Sequence, residues 1–146
     1  MCMDYLSWTY FVRRISRNPL YYNVEKGDSK SIQKYLMDLI DANIAELIDS
    51  GCIECEDGYN LTSTMNGYLA SFYYIRHKTI RTFSKKLKKG MSIYDLIKVL
   101  SEADEYDEVP CRHNEDHMND ALANICPYPI DRSRLDSPQI KTILLF

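Results

Sequence analysis

The sequence predicts a mainly helical fold carrying one short β-hairpin, and three observations predict it. Residues 31–50 form the clearest periodic segment, with Ile32, Leu36, Leu39, Ile40, Ile44, Leu47 and Ile48 at three- and four-residue steps, the spacing of one helix face. The period then changes to two short runs on either side of Asp57-Gly58, a tight-turn signal. Beyond them, Gly90, Ser92, Pro127 and Pro138 punctuate further apolar periodic segments where helices start and stop. The 146 residues, 45% hydrophobic and 27% charged, suit an ordinary folded chain of one domain or two small ones.

In chain order, residues 5–17 are expected to form the first helix, with Asp4 as its N-cap. Leu6, Trp8, Phe11, Val12 and Ile15 give its apolar stripe, and Pro19 stops it. Residues 21–24 are short and aromatic and read as a minor strand. The segment 31–50 follows, as one helix or as two joined near Asp41-Ala42-Asn43, closed by Gly51 in the C′ position. Residues 52–56 and 59–62 are the two strands. Helix, glycine, strand, tight turn and strand in that order give the winged-helix layout. After Gly67 one long helix is expected over 68–87, closed by Gly90. The next spans 92–105, with Ser92 as N-cap and Asp95 replacing the usual Glu or Gln of a capping box. A further helix runs from Asn114 or Glu115 to Ile125, and residues 127–138 are a loop. Pro138 then opens a last helix as its first-turn proline. Trp8, Phe11, Leu36, Ile40, Leu47, Ile53 and Leu61 are expected to share a core.

Net charge is −3, so the chain as a whole is no polyanion binder, but the charge is segregated. Residues 76–98 hold eight Lys/Arg against one acid, and residues 102–120 hold eight acids against one Arg. Such blocks are commonly solvated helix faces, and a nucleic-acid or partner surface is the sharper reading. Five cysteines without paired spacings read as reduced thiols. The first residues lack a basic stretch leading into an apolar one, and no run reaches the roughly 18 apolar residues that cross a bilayer. A soluble, intracellular protein of the nucleus and/or cytoplasm, with no membrane partner, is the expectation.

Two apparent motifs fail on physical grounds. Ser101-Glu102-Ala103-Asp104 lies one letter from the Asp-Glu-Ala-Asp box of helicase ATPases. That box needs a buried strand delivering carboxylates to Mg²⁺ opposite a Gly-rich phosphate loop. Here the preceding Ile93, Leu96, Ile97 and Leu100 have helical spacing, and the five glycines form no Gly-x-x-x-x-Gly-Lys. Cys52-x-x-Cys55 with His113-x-x-x-His117 suggests a zinc site, but the halves are far apart in sequence, and a strand would point the two cysteines to opposite faces. No metal ligands, no cofactor and no catalytic residues are therefore assigned, and no nucleophile motif stands out.

Trp8 to Arg14, followed by Asn18-Pro19 and Tyr21-Tyr22-Asn23, resembles the winged-helix entry of the Ski-two-like superfamily 2 DExH helicases. Residues 70–75 (Ala-Ser-Phe-Tyr-Tyr-Ile) resemble the helix that leaves that domain. Glu105-Tyr106, Pro110 and residues 112–119 (Arg-His-Asn-Glu-Asp-His-Met-Asn) resemble the start of the family's SEC-sixty-three (Brl) domain. Asp136-Ser137-Pro138, Lys141 and Leu144-Leu145 resemble the start of the helix that family enzymes thread beside the translocating strand. The resemblance covers essentially the whole chain in order. It implies a winged-helix domain over 1–66 and the N-terminal part of a helical SEC-sixty-three-type domain over 67–146. It also implies a parent protein that uses ATP and Mg, whose RecA-like motor domains lie outside this chain.

Two functions of different class follow. In the first, the chain is a non-catalytic accessory piece of a helicase. It packs on the motor domains, meets other complex subunits and guides single-stranded RNA or DNA, and Leu144-Leu145-Phe146 is the expected exposed apolar patch. In the second, it is a free-standing winged-helix module that binds nucleic acid or protein through residues 41–50. That helix offers Asp38, Asp41, Asn43, Glu46 and Asp49, and carboxylates repel phosphates. Weak, salt-sensitive contact with a single strand is instead assigned to Arg81, Lys85, Lys88 and Lys89, read as sharing one face of the 68–87 helix and its end, and to Lys141.

Overall fold

A computed structural model describes residues 2–58 and 60–146. Among them the chain forms eight α-helices, three short 3-10 turns and one two-stranded antiparallel sheet. It divides into two compact units, Met1–Ile48 and Asp49–Phe146.

The first unit contains helix α1 (Cys2–Ser7), helix α2 (Tyr10–Arg17), a 3-10 turn over Pro19–Tyr22, and most of helix α3 (Ser29–Asp49). The single helix expected over 5–17 is thus two. Ser7 and Thr9 donate their hydroxyls to the carbonyls of Asp4 and Leu6, at 2.6 and 2.7 Å. Such local side-chain bonds compete with helix propagation. The break rotates Trp8 out of the apolar stripe, leaving it 81% exposed, with its ring edge-on to Tyr5. The expected minor strand at 21–24 is instead the end of the 3-10 turn, closed by Asn23 in the left-handed conformation at φ 58°. α3 is one continuous helix through Asp41-Ala42-Asn43. The core is Ile15, Val24, Ile32 and Leu36, with Leu6, Phe11, Val12 and Tyr35 packed against it.

The second unit opens with strands β1 (Ile53–Glu56) and β2 (Asn60–Ser63), paired from Ile53 opposite Ser63 to Glu56 opposite Asn60. Asp57 and Gly58 take φ of 53° and 75°, the left-handed values that tight hairpin turns require and glycine adopts without strain. Tyr59, which opens the expected second strand, lies outside the described residues. Helix α4 (Met65–Tyr73) and helix α5 (His77–Lys86) replace the single helix expected over 68–87. Between them Tyr74 turns left-handed at φ 56°, and the Ile75 N–H closes the turn on the Ala70 carbonyl. Helix α6 (Ile93–Ser101) starts in the expected capping box of Ser92 and Asp95 and stops before the expected 105, giving way to a 3-10 turn over Asp104–Glu108. Helix α7 (Glu115–Ile125) and helix α8 (Pro138–Leu145) lie where expected, the latter with Ser137 as N-cap and proline in its first turn. α8 packs on α6, α7 and the Asp104–Glu108 turn.

α4 meets the hairpin without a gap. A Cβ on Gly67 would stand 2.1 Å from the Cys52 carbonyl oxygen, so the helix reaches the start of β1 only because this residue has no side chain. Thr64 fixes the contact. Its Oγ1 accepts the Gly67 N–H at 3.1 Å, and its single proton is shared between the carbonyls of Gly51 and Cys52, at 2.7 and 3.0 Å.

The expected shared core is corrected in part. Leu36 is buried and Phe11 packs against the first core, while Ile40, Leu47 and Ile53 are half-buried. Trp8 and Leu61 are exposed, and Ile53 and Leu61 belong to the other unit. Burial of Trp8 is therefore no mark of this fold; the helix–hairpin order is. Among the described residues, no helix is long and apolar enough to cross a membrane.

Candidate nucleic-acid interface

The residues of the basic block do not act together. Arg76, at the N-cap of α5, is bound to Asp104 Oδ2 at 3.0 Å and to Glu108. These two carboxylates, Glu108 foremost, hold its guanidinium well above the ordinary arginine range. Glu105 accepts the Arg76 N–H at 2.7 Å and the Thr79 hydroxyl, and Thr79 Oγ1 in turn accepts the Asp104 N–H at 2.8 Å. Burial raises the Glu105 pKa, but these hydrogen bonds outweigh it, and the carboxyl sits below its usual value. The acidic turn thus clasps the start of α5, and Asp104 serves this ion pair from a 3-10 turn, where no strand delivers it.

Further pairings thin the cationic face. Arg81 meets Asp49 at 2.7 Å and Lys86 meets Glu102. Of the expected contact residues, Arg81 and Lys85 lie one helical turn apart on α5, but the helix ends at Lys86. Lys88 and Lys89 follow in the non-helical approach to Gly90, so the four do not share one helix face. Lys85, Lys88 and Lys89 are exposed and form no ion pair among the described residues. Lys141 is 16% exposed, with Nζ donating to Glu115 Oε2 and to the Pro110 carbonyl, each at 2.6 Å. Its hydrogen bond, with that of the Arg112 N–H, draws the Glu115 pKa down. The run 112–119 therefore ties α7 to α8 through Glu115, and Asn119, almost fully buried, donates to the Leu135 carbonyl, in the segment before α8, at 2.8 Å. An open polar recess of about 420 Å³ beside it is lined by His113, Asp116 and Asp136.

Cys52 is buried and Cys55 exposed, and no three His, Cys, Asp or Glu side chains converge on a metal position among the described residues. On α3, Asp38, Asp41, Asn43, Glu46 and Asp49 are all exposed. On α4, Met65, Tyr68 and Phe72 occupy one face at 71%, 57% and 60% exposure, with Tyr68 and Phe72 stacked. The 144–146 patch is exposed at Leu145 and Phe146, and Phe146 lies edge-on to Tyr106. Opposite the apolar stripe of α2, Tyr10, Arg13, Arg14 and Arg17 recur at helical spacing and are exposed, a pattern already present in the sequence.

Residues 63–146 match the family model of the Sec63 Brl domain, and residues 2–57 match that of a winged helix-turn-helix domain. The chain is 42% identical over 144 residues to human activating signal cointegrator 1 complex subunit 3, a match covering 98% of this chain and 6% of that protein. It is 38% identical to the Arabidopsis thaliana DExH-box ATP-dependent RNA helicase DExH14, over 99% of this chain and 7% of that one. To the human U5 small nuclear ribonucleoprotein 200 kDa helicase it is 34% identical, over 98% and 7%. Residues 112–119 and the Asp136-Ser137-Pro138 helix start resemble the cointegrator type before the spliceosomal one, and the identities fall in that order. With a winged helix and a helical domain in the same succession, the chain belongs to the Sec63 Brl domain family in the arrangement of the Ski-two-like DExH helicases.

Proposed function

We propose that this chain is a non-catalytic accessory segment of an ATP-dependent nucleic-acid helicase. It packs on the RecA-like motor domains of its parent and helps to guide the single strand during unwinding. The winged-helix domain takes residues 1–66 and the SEC-sixty-three-type domain begins at 67. ATP and Mg serve the parent's motor, other subunits of its complex are further partners, and the nucleus and/or cytoplasm is its place. The supporting observation is the apolar row Met65, Tyr68 and Phe72, continued by Tyr74 at 93% exposure. Aromatic surface of that kind is what a protein interface buries. The acids exposed on α3 count against a free-standing duplex reader. Lys85, Lys88 and Lys89 remain available to a passing strand, whereas Arg81 and Lys141 would first have to leave Asp49 and Glu115.

Mixing the chain with the RecA-like motor segment of its parent tests the packing. A stoichiometric complex is expected on size exclusion, weakened by Tyr68→Asp and Phe72→Asp. Absence of a complex, together with unwinding by the parent that these substitutions leave unchanged, would overturn the assignment.

A further inference from the structure

The outward face of α2 carries cations and rings and no acid. Tyr10, Arg13, Arg14 and Arg17 stand at i, i+3, i+4 and i+7, so they project from one side, opposite the core residues Phe11, Val12 and Ile15. No Asp or Glu occurs from Tyr10 to Val24. The three arginines are exposed and form no ion pair among the described residues. Beyond the helix end the face continues: the Arg14 guanidinium lies 6.0 Å from the centre of the Tyr21 ring, itself 74% exposed. Arg14 and Arg17 also oppose the negative end of the helix dipole. That accounts for their sign and leaves the two exposed rings unexplained.

We propose that Tyr10, Arg13, Arg14, Arg17 and Tyr21 form a binding site for single-stranded nucleic acid, with phosphates on the guanidinium groups and bases on the rings. A single strand offers a charge at every phosphate and a flat π-face at every base, so it engages both halves of the surface. An acidic protein patch would engage the arginines alone, and a duplex keeps its bases stacked out of the rings' reach. The inference rests on the reading that the parent handles single strands, but it places contact in the first unit, on residues separate from Lys85, Lys88 and Lys89.

Fluorescence anisotropy of labelled oligouridine and oligothymidine with the full 146-residue chain, titrated in dilute buffer and then with salt, tests it. Arg13→Ala/Arg14→Ala/Arg17→Ala is expected to weaken binding about tenfold or more and to flatten the log–log salt slope by about 2, since each neutralised phosphate of a single strand contributes roughly 0.7. Tyr10→Ala/Tyr21→Ala should weaken it about fivefold or more with the slope unchanged, and Arg→Lys replacements should restore the slope. Circular dichroism checks that the exposed substitutions leave the helices intact. If the α2 variants bind like the wild type while Lys85→Ala/Lys88→Ala/Lys89→Ala does not, this site is refuted and strand guidance by the basic segment stands. If the wild type binds no strand in dilute buffer, both fall. Displacement of the oligonucleotide by polyglutamate of equal charge, as effective as unlabelled strand, would make the face an acidic-protein dock and overturn the proposal.

Discussion

Gly67→Ala probes the approach of α4 to the start of β1. In an exposed helix interior the substitution would stabilise by about 1 kcal/mol, because alanine loses less backbone entropy on ordering. Here the added Cβ falls 2.1 Å from the Cys52 oxygen and 3.1 Å from Ser63 Oγ. Ordinary contact distances demand a shift of more than an ångström, and the obstacle is backbone, which cannot rotate aside. That shift breaks the Thr64 N–H bond to Cys52 O and the single Thr64 hydroxyl bond, shared between the carbonyls of Gly51 and Cys52. Those bonds are worth about 1 kcal/mol net apiece, and the strained N-cap adds about 1 kcal/mol more. Against the propensity gain, a net loss of about 2 kcal/mol is expected, which lowers the melting midpoint of a unit this size by roughly 8–16 °C. Thermal unfolding followed at 222 nm, with Ser71→Ala on the exposed side of α4 as a control, reads it directly. A Gly67→Ala chain as stable as the wild type, or more stable, would refute the close approach of α4 to β1.

Three further outcomes follow from features of single residues. The Glu105 carboxyl sits below its ordinary value of 4.5 in the folded chain, so it contributes stability that is complete above that value and lost as pH falls through the folded one. Unfolding midpoints measured from pH 7 down to pH 3 should therefore converge between wild type and Glu105→Gln, and a gap that widens on acidification would contradict the clasp. Ser92→Ala removes the N-cap of α6 and should cost about 1 kcal/mol in urea unfolding; no loss would mean that the capping box carries no weight. Trp8→Ala, at an exposed position, should change stability by less than about 0.5 kcal/mol, and a core-sized loss would restore Trp8 to the interior.

What could be read ahead of the structure was what is decided locally. The Ser92/Asp95 box, the proline in the first turn of α8 and the Asp57-Gly58 turn each lie within a few residues of what they control. The break at Tyr74 had no such signal. Neither glycine nor proline marks it, and the residue beyond it, Arg76, is held by acids 28 to 32 positions downstream. The break before Tyr10 does carry a local signal, in Ser7 and Thr9, polar residues whose hydroxyls compete for the backbone carbonyls. For the contact residues, too, the deciding partners come from distant parts of the chain. Arg81 and Lys141 are cations in the sequence and partners of Asp49 and Glu115 in the fold, whereas the arginines of α2 had a fully local signature in their own spacing.

The clasp at the start of α5 also has a bearing on the order in which the chain can fold. A helix usually carries its own N-cap and can begin to form as soon as it is made. α5 receives its acceptor from Glu105, 29 residues further on, and sits in the middle of the unit. On the ribosome, at about 5–20 residues per second, its first turn stays open for seconds after it is synthesised, until the acidic turn emerges. A chain stopped before Glu105 should leave that turn frayed even with every residue of α5 present, which amide exchange at Arg76 and Ile80 would show.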